Sequence, residues 1–404
     1  MPSVPANPSK LDAANNLPAW LRAASSRLDG WIESQGFRGW DPYDALNSPV
    51  LKFLSFGNQY LRMVYTQTLK RLPVNLRPVL LVPKGTNPKA LGLFLSGYVK
   101  LHRLRPELRF REILGRILGQ LDELKSDGYS GLCWGYNFDW QNRLYLFPKY
   151  TPTIVNTSFI ANGMLDVYEL LGDPSLLERA RSACEFILND LYATRNNGTL
   201  CFGYTPMDRS CVHNANMLGA RLLARVYAHT GESVLADRAI AAATYTVQRQ
   251  NRDGSWFYGE ADIQKSIDNY HTGFVLESLF DVMTAVGDGL FLEALERGLR
   301  FYEDHFFLPD GTPKYYHDKV YPIDVHSFQA LVTLSRLRVI RDNSDRLRRI
   351  ASWMVEHMQA PAGHFYFQKG KYGTNRISYL RWNQAWAFHG LTTYQAYLTE
   401  HRGN

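Results

Sequence analysis

No apolar run in this 404-residue chain reaches the roughly 18 residues that a membrane-spanning helix needs. The first 16 residues also lack a basic start followed by an apolar core, so neither stable membrane insertion nor a secretory signal is expected. Cysteine is scarce: Cys133, Cys184, Cys201 and Cys211 are the only four, and none forms a CxxC pair. That argues against a zinc or redox centre and for free buried thiols, with Cys201 and Cys211 meeting across a loop as the alternative. An HExxH-like pair is absent, so neither a metal nor another cofactor is expected. A charge-dense tail is absent as well. The formal charge of +7 is spread along the chain, and its local runs, Arg103–Arg111 and Arg336–Arg349, read as solvated helix faces rather than a nucleic-acid surface. The expected location is therefore cytoplasmic, with peripheral contact at the inner face of the membrane left open. Residues 1–16 are expected to be loosely ordered.

Aromatic residues, by contrast, are plentiful at 13%, with 24 Tyr, 21 Phe and 9 Trp, many of them outside the helical stretches. They fall into a repeat. Asn156, His213, His271, His326 and Asn383 each lead an apolar, small-residue helix, in steps of 57, 58, 55 and 57 residues. A second series, Gly172-Asp173-Pro174, Gly231-Glu232-Ser233 and Gly287-Asp288-Gly289, has the punctuation of one helix ending and another starting. The third is a turn followed by aromatics, as in Gly131-Leu132-Cys133-Trp134, Gly254-Ser255-Trp256 and Gly363-His364-Phe365. Amphipathic outer helices are predicted near 18–35, 108–127, 174–193, 231–251, 288–306 and 342–359. More apolar inner partners are predicted near 87–104, 153–171, 212–229, 269–286, 324–338 and 381–399, with an extra helix near 50–71. A hairpin cannot bury its apolar face alone, and six can close on themselves. The expected fold is all-α: one (α/α)6 toroid of six helical hairpins over the whole chain, with aromatic loops on one rim. An open solenoid fits less well, because the inner helices lack polar faces.

Repeating loops send their polar residues to one place. The expected sugar-binding set is Trp40, Asp41, Tyr43, Asp44, Trp134, Tyr136, Trp140, Arg143, Asn156, Asp208, His213, Trp256, Tyr258, Tyr270, Tyr316, Arg381, Trp382 and Asn383. Flat rings stack on the C–H face of a pyranose, while Asn, Asp, His and Arg fork onto its hydroxyls. Asp139, Asp268, His271, Asp324 and His326 are the candidate catalytic groups. Each has a blander reading. Asp268 and Asp324 precede inner helices and suit capping, Asp41 and Asp44 flank Pro42 in a turn, and the histidines suit a polar layer of the barrel. Asp139, between Phe138 and Trp140, has no helix to cap, and an apolar setting suits a general acid.

The aromatic turns and His/Asn-led helices resemble the six-hairpin glycosidase-like superfamily, which includes glycoside hydrolases, sugar 2-epimerases and polysaccharide lyases. From about residue 37 onward, Gly39-Trp40-Asp41-Pro42-Tyr43-Asp44 and Trp134-Gly135-Tyr136-Asn137-Phe138-Asp139-Trp140 resemble the VpsJ-like polysaccharide-biosynthesis proteins. This resemblance implies work on an oligo- or polysaccharide or on its precursor, within a polysaccharide-biosynthesis assembly, and the diffuse basic charge leaves an acidic glycan open. It carries over no catalytic residues. Three chemistries stay open: hydrolysis by paired rim carboxylates, lyase or epimerase chemistry by Tyr, His, Asn and Arg, and glycan binding without catalysis.

Overall fold

The computed structural model describes residues 17–141, 146–287 and 289–400. The expected loose segment 1–16, Arg143 and Asp288 lie outside them. Six outer helices, α1 (Ala19–Ser34), α5 (Leu108–Glu123), α7 (Pro174–Asn189), α9 (Ser233–Val247), α11 (Leu292–His305) and α13 (Ser344–Met358), surround six inner ones. The inner set is α4 (Pro88–Leu104), α6 (Ile154–Leu171), α8 (His213–Thr230), α10 (Asn269–Val286), α12 (Gln329–Arg336) and α14 (Trp386–Glu400). Each inner helix packs on the next, and α14 packs back on α4, so the ring is closed. The fold is an (α/α)6 toroid.

Residue chemistry explains the two layers. α5 buries Phe110, Ile113, Leu114, Ile117 and Leu121, a stripe at spacings of three and four, and exposes its charged face. α6 buries Ile154, Ile160, Met164 and Leu165 together with the intervening small residues, because it is covered on nearly every side. Gly172, Gly231 and Gly287 end α6, α8 and α10 in the left-handed conformation, at φ of 70°, 72° and 69°. The aromatic turns seal the other junctions. A Cβ on Gly254, Gly311 or Gly363 would meet the backbone of Arg297, Arg349 or Arg27 at 2.5, 2.5 and 2.4 Å. Thus each turn is clamped to the following outer helix, and the last one, at Gly363, is clamped to the first.

Several boundaries differ from expectation. The extra helix is two, α2 (Pro49–Leu54) and α3 (Gln59–Arg71), because Phe56 and Gly57 turn at positive φ and Asn58 caps a fresh start. The fifth inner element opens as a 3-10 turn, Val325–Phe328, and the sixth as one π-helical turn, Leu380–Ala385. The fifth outer helix starts only at Leu292. Short hairpins stiffen the rim: Trp140–Gln141 with Leu146–Phe147, and Ala193–Asn196 with Thr199–Phe202. The strand Ile323–Asp324 joins Gln368–Lys369 and Thr374–Asn375. All four cysteines are free, three of them buried and Cys211 half-buried. Among the described residues no helix is long and apolar enough to cross a membrane.

Candidate functional site

At the rim, a cavity of about 160 Å³ sits over the N-terminal ends of the inner helices. Six of its lining residues follow one rule. Lys89, Val155, Asn214, Tyr270, His326 and Arg381 are each the second residue of an inner helical element, and all six face the cavity. At that position the side chain reaches inward just past the last free N–H groups, so six partly positive helix ends converge on the space. Loop aromatics complete the wall: Tyr43, Tyr136, Phe138, Trp140, Tyr204, Tyr258 and Trp382, with His271 and Phe274 from α10.

Among the described residues no Asp or Glu lines the cavity, and each expected acid is held by a neighbouring group. Asp139, expected as a general acid, accepts from Lys52 Nζ and Lys149 N, both at 2.9 Å, outside the lining. Asp268 caps α10 and holds His271 twice: it accepts from the backbone N at 3.0 Å and meets Nδ1 at 2.7 Å. Asp324 is fully buried and accepts from His326 N (2.8 Å), Trp382 Nε1 (2.9 Å) and Gln368 Nε2 (2.6 Å), and burial pushes its pKa up. Asp41 takes the Arg381 guanidinium in a fork, at 2.6 and 2.8 Å. Asp44 is held by Arg77 Nε at 2.7 Å, and burial lifts its pKa to about 6.

Other expected sugar contacts lie outside the lining, bonded to the surrounding scaffold. Trp134 and Trp256 are buried and donate to the Leu121 and Thr246 carbonyls at 2.8 and 3.0 Å. Trp40 donates to the Val82 carbonyl at 3.0 Å, and Asn383 ties the last loop through the Phe365 and Ile377 carbonyls. Asp208 closes its own turn on Thr205 and Ser210, while Tyr316 packs on Tyr315 outside the lining. His213 sits in the barrel wall, where burial lowers its pKa to about 4. Asn156 is fully buried outside the lining, one position from the residue that faces the cavity.

Two features give the cavity its chemistry. Tyr270 stands between two imidazoles, with ring centroids 4.2 Å from His271 and 4.3 Å from His326. Neither ring nitrogen of His326 has a hydrogen-bond partner among the described residues, nor does Asn214 Oδ1. Burial and the nearby Lys89 and Arg381 hold His326 well below the usual histidine range. The second feature is Lys89, which sequence reasoning missed. Its Nζ lies over the rings of Phe159 (4.4 Å), Trp386 (5.5 Å) and Phe274 (5.6 Å), and burial together with Arg381 holds its pKa well below normal.

Neither a family model nor a curated protein matches the sequence. Solved structures do match. An α-mannanase of glycoside hydrolase family 76 from Bacteroides thetaiotaomicron superposes at a TM-score of 0.61, with 15% identity over 77% of this chain and 86% of its own. Cellobiose 2-epimerase from Bacillus thermoamylovorans gives 0.62, with 13% identity over 79% and 90%. Unsaturated glucuronyl hydrolase from a Bacillus species gives 0.63, with 12% identity over 95% and 96%. The chain has the six-hairpin glycosidase fold. Those neighbours span hydrolysis and epimerisation on that fold, so only the cavity's own groups discriminate between them.

Proposed function

We propose that the rim cavity is the active site of a sugar epimerase or isomerase that works by proton transfer. The observation that carries this reading is the lining itself: two histidines, a lysine, an arginine and tyrosines, with no carboxylate among the described residues. A hydrolase of the two-carboxylate kind needs an acid and a base on either side of the bond. Here His271, oriented by Asp268, is suited to take the proton from a carbon beside a carbonyl or carboxylate, and His326 to serve from the other side of Tyr270. Removing that proton puts negative charge on the substrate oxygen. Arg381, the converging helix ends and Lys89 face that charge, and Lys89 binds its own proton more firmly as the charge grows. At about 160 Å³ the space is well below the roughly 300–1,000 Å³ of a drug-sized ligand site, which favours a monosaccharide or one chain end over a long polymer. The VpsJ-like motifs make a surface polysaccharide or its precursor, handled in the cytoplasm, the natural source of that sugar.

Incubation with neutral aldoses, N-acyl sugars and uronates in heavy water tests the proposal. Deuterium should enter at the carbon beside the carbonyl or carboxylate, and His271→Asn or His326→Asn should slow this about 10²-fold or more. Release of new reducing ends from an oligosaccharide, with no deuterium incorporation, would instead establish the hydrolase.

A further inference from the structure

Between α1 and α4, residues 48–83 form a small body of their own on the rim, made of α2, α3 and the turns that follow them. It has its own core. Leu51, Leu69 and Val82 close over Ala45, apart from the main core of the toroid. Ser48 Oγ donates to the Leu80 carbonyl, and Tyr65 Oη to that of Leu54 at 3.2 Å, so the pieces hold together. The body adjoins the rim cavity through Lys70, whose Nζ lies 4.4 Å from the centre of the Tyr43 ring and 5.5 Å from that of Trp382.

Its outer surface is apolar. Of the 22 large apolar side chains that stand exposed among the described residues, ten lie between Val50 and Leu81. Scattered singly such residues are ordinary, but a gathering of this kind marks a surface that meets something. Phe53 and Phe56 are 74% and 76% exposed, with ring centroids 6.0 Å apart. On α3, Tyr60, Val64, Thr68 and Arg71 follow at spacings of four and three and all are exposed, while Thr66 and Leu69 are buried. Two apolar side chains are held out against the backbone's own preference. Phe56 and Leu81 have φ of 47° and 56°, in the left-handed region where a Cβ is crowded and glycine is the usual residue. Both side chains are exposed, so packing does not explain the strain. Backbone strain persists where a function uses it.

The charge on this surface has one sign. Between Asp44 and Glu107 the sequence contains neither Asp nor Glu. Lys52, Arg71 and Lys84 are exposed on the body. The neighbouring hairpin, tied to the end of α3 by Asn375 Nδ2 donating to the Leu72 carbonyl at 3.1 Å, adds Lys371 and the exposed Tyr372 at its tip. Of these four cations only Lys52 has a carboxylate partner among the described residues, Asp139 at 2.9 Å. Such a surface suits lipid better than a folded partner. Side chains that project by three quarters of their area need a pocket each on a protein, but none in the fluid boundary between head groups and acyl chains. Protein interfaces are also poor in lysine, whereas anionic head groups attract it.

We propose that the α2–α3 body docks the protein on an anionic phospholipid bilayer, Phe53 and Phe56 entering the head-group boundary and Arg71, Lys84 and Lys371 facing the phosphates. Docking there sets the mouth of the rim cavity beside the bilayer, and the proposal stands independently of the rim reaction. Flotation of the full chain with phosphatidylcholine vesicles, with and without phosphatidylglycerol, tests it. Wild type should float with the anionic vesicles and bind the neutral ones about tenfold more weakly or less. Binding should fall about tenfold or more in Phe53→Ser/Phe56→Gly and in Arg71→Ala/Lys84→Ala, and stay unchanged in Val234→Ser, which removes an exposed apolar side chain at the opposite rim. Thermal melts separate docking from folding: glycine suits the left-handed turn at position 56, so Phe56→Gly alone should melt no earlier than wild type while floating less. Wild type that floats with neither vesicle, or equally with both, would overturn the proposal. So would binding that survives both double variants. Self-association that Phe53→Ser/Phe56→Gly abolishes, without flotation, would also overturn it and assign the face to a second copy of the chain.

Discussion

Lys89 is the residue at which function and stability pull apart most clearly. Its ammonium is buried among three rings, with no hydrogen-bond or ion-pair partner among the described residues, so only the ring faces and the field of Asp41 offset its desolvation. Lys89→Met keeps the stem and removes the charge. Stability should hold or rise, by about 1 kcal/mol or more in urea denaturation, while deuterium exchange into the sugar falls about 10²-fold. A variant that lost stability and kept exchange would make Lys89 a packing residue. His213 shows the opposite balance. Burial lowers its folded pKa to about 4 from 6.5, so between those values the unfolded chain binds the proton and the native one does not. Its contribution is therefore complete above pH 6.5 and is lost as pH falls toward 4, roughly 3 kcal/mol in all. His326 and His389 shift the same way and steepen the fall. Denaturation midpoints at pH 7 and 4.5 should differ less in His213→Gln than in wild type, and an unchanged difference would remove His213 from the account.

Among elements, the glycine turns carry the ring. Gly363 sits at φ 100°, and a Cβ there would lie 2.4 Å from the Arg27 carbonyl oxygen, where the last unit meets the first. Gly172 is also left-handed, at φ 70°, but nothing lies within 4 Å of its Cβ position. Gly172→Ala should therefore cost about 1 kcal/mol, the conformational term alone. Gly363→Ala should cost about 3 kcal/mol or more, because backbone must also move. Equal costs by chemical denaturation would mean that ring closure is loose there. Elements also show what a sequence makes visible. The toroid was legible because glycine stops, capping residues and aromatic turns recur with every hairpin, and packing enforces all three. The site was legible only in part. Reading the repeat from Asn156, His213, His271, His326 and Asn383 picks the residues that stand out chemically, yet these occupy different positions in their helices. The cavity instead takes the second residue of each: Lys89, Val155, Asn214, Tyr270, His326 and Arg381. Val155 draws no attention, and Lys89 follows the Asn87 cap and a proline, outside the spacing of the other leaders, so that register emerges only when all six starts are aligned. Asp139 misled for a related reason. Its aromatic neighbours suggested an apolar setting, but its carboxylate turns outward to Lys52.

For the molecule as a whole, the closed ring makes two chambers back to back, the rim cavity and a lower one of about 470 Å³ between the C-terminal halves of the inner helices, divided by Phe159, Phe274 and Trp386. That partition has a chemical consequence, because the same rings that close the floor of the rim cavity keep water from Lys89. Phe159→Ala should cost about 3–5 kcal/mol, as large-to-small changes in a packed core do. It should also admit water beneath the amine and let the Lys89 pKa climb back toward its ordinary value. Since the proposed reaction uses that lysine protonated, exchange activity should be lost at high pH as it deprotonates, and the loss should move to higher pH in the variant. Phe280→Ala provides the control. It removes a ring from the lower wall but none from the partition, so stability should fall while the pH profile stays in place. A profile that moved equally in both variants would mean that loosening the barrel anywhere retunes the site. A shift confined to Phe159→Ala would make the aromatic partition the device that sets the charge of Lys89.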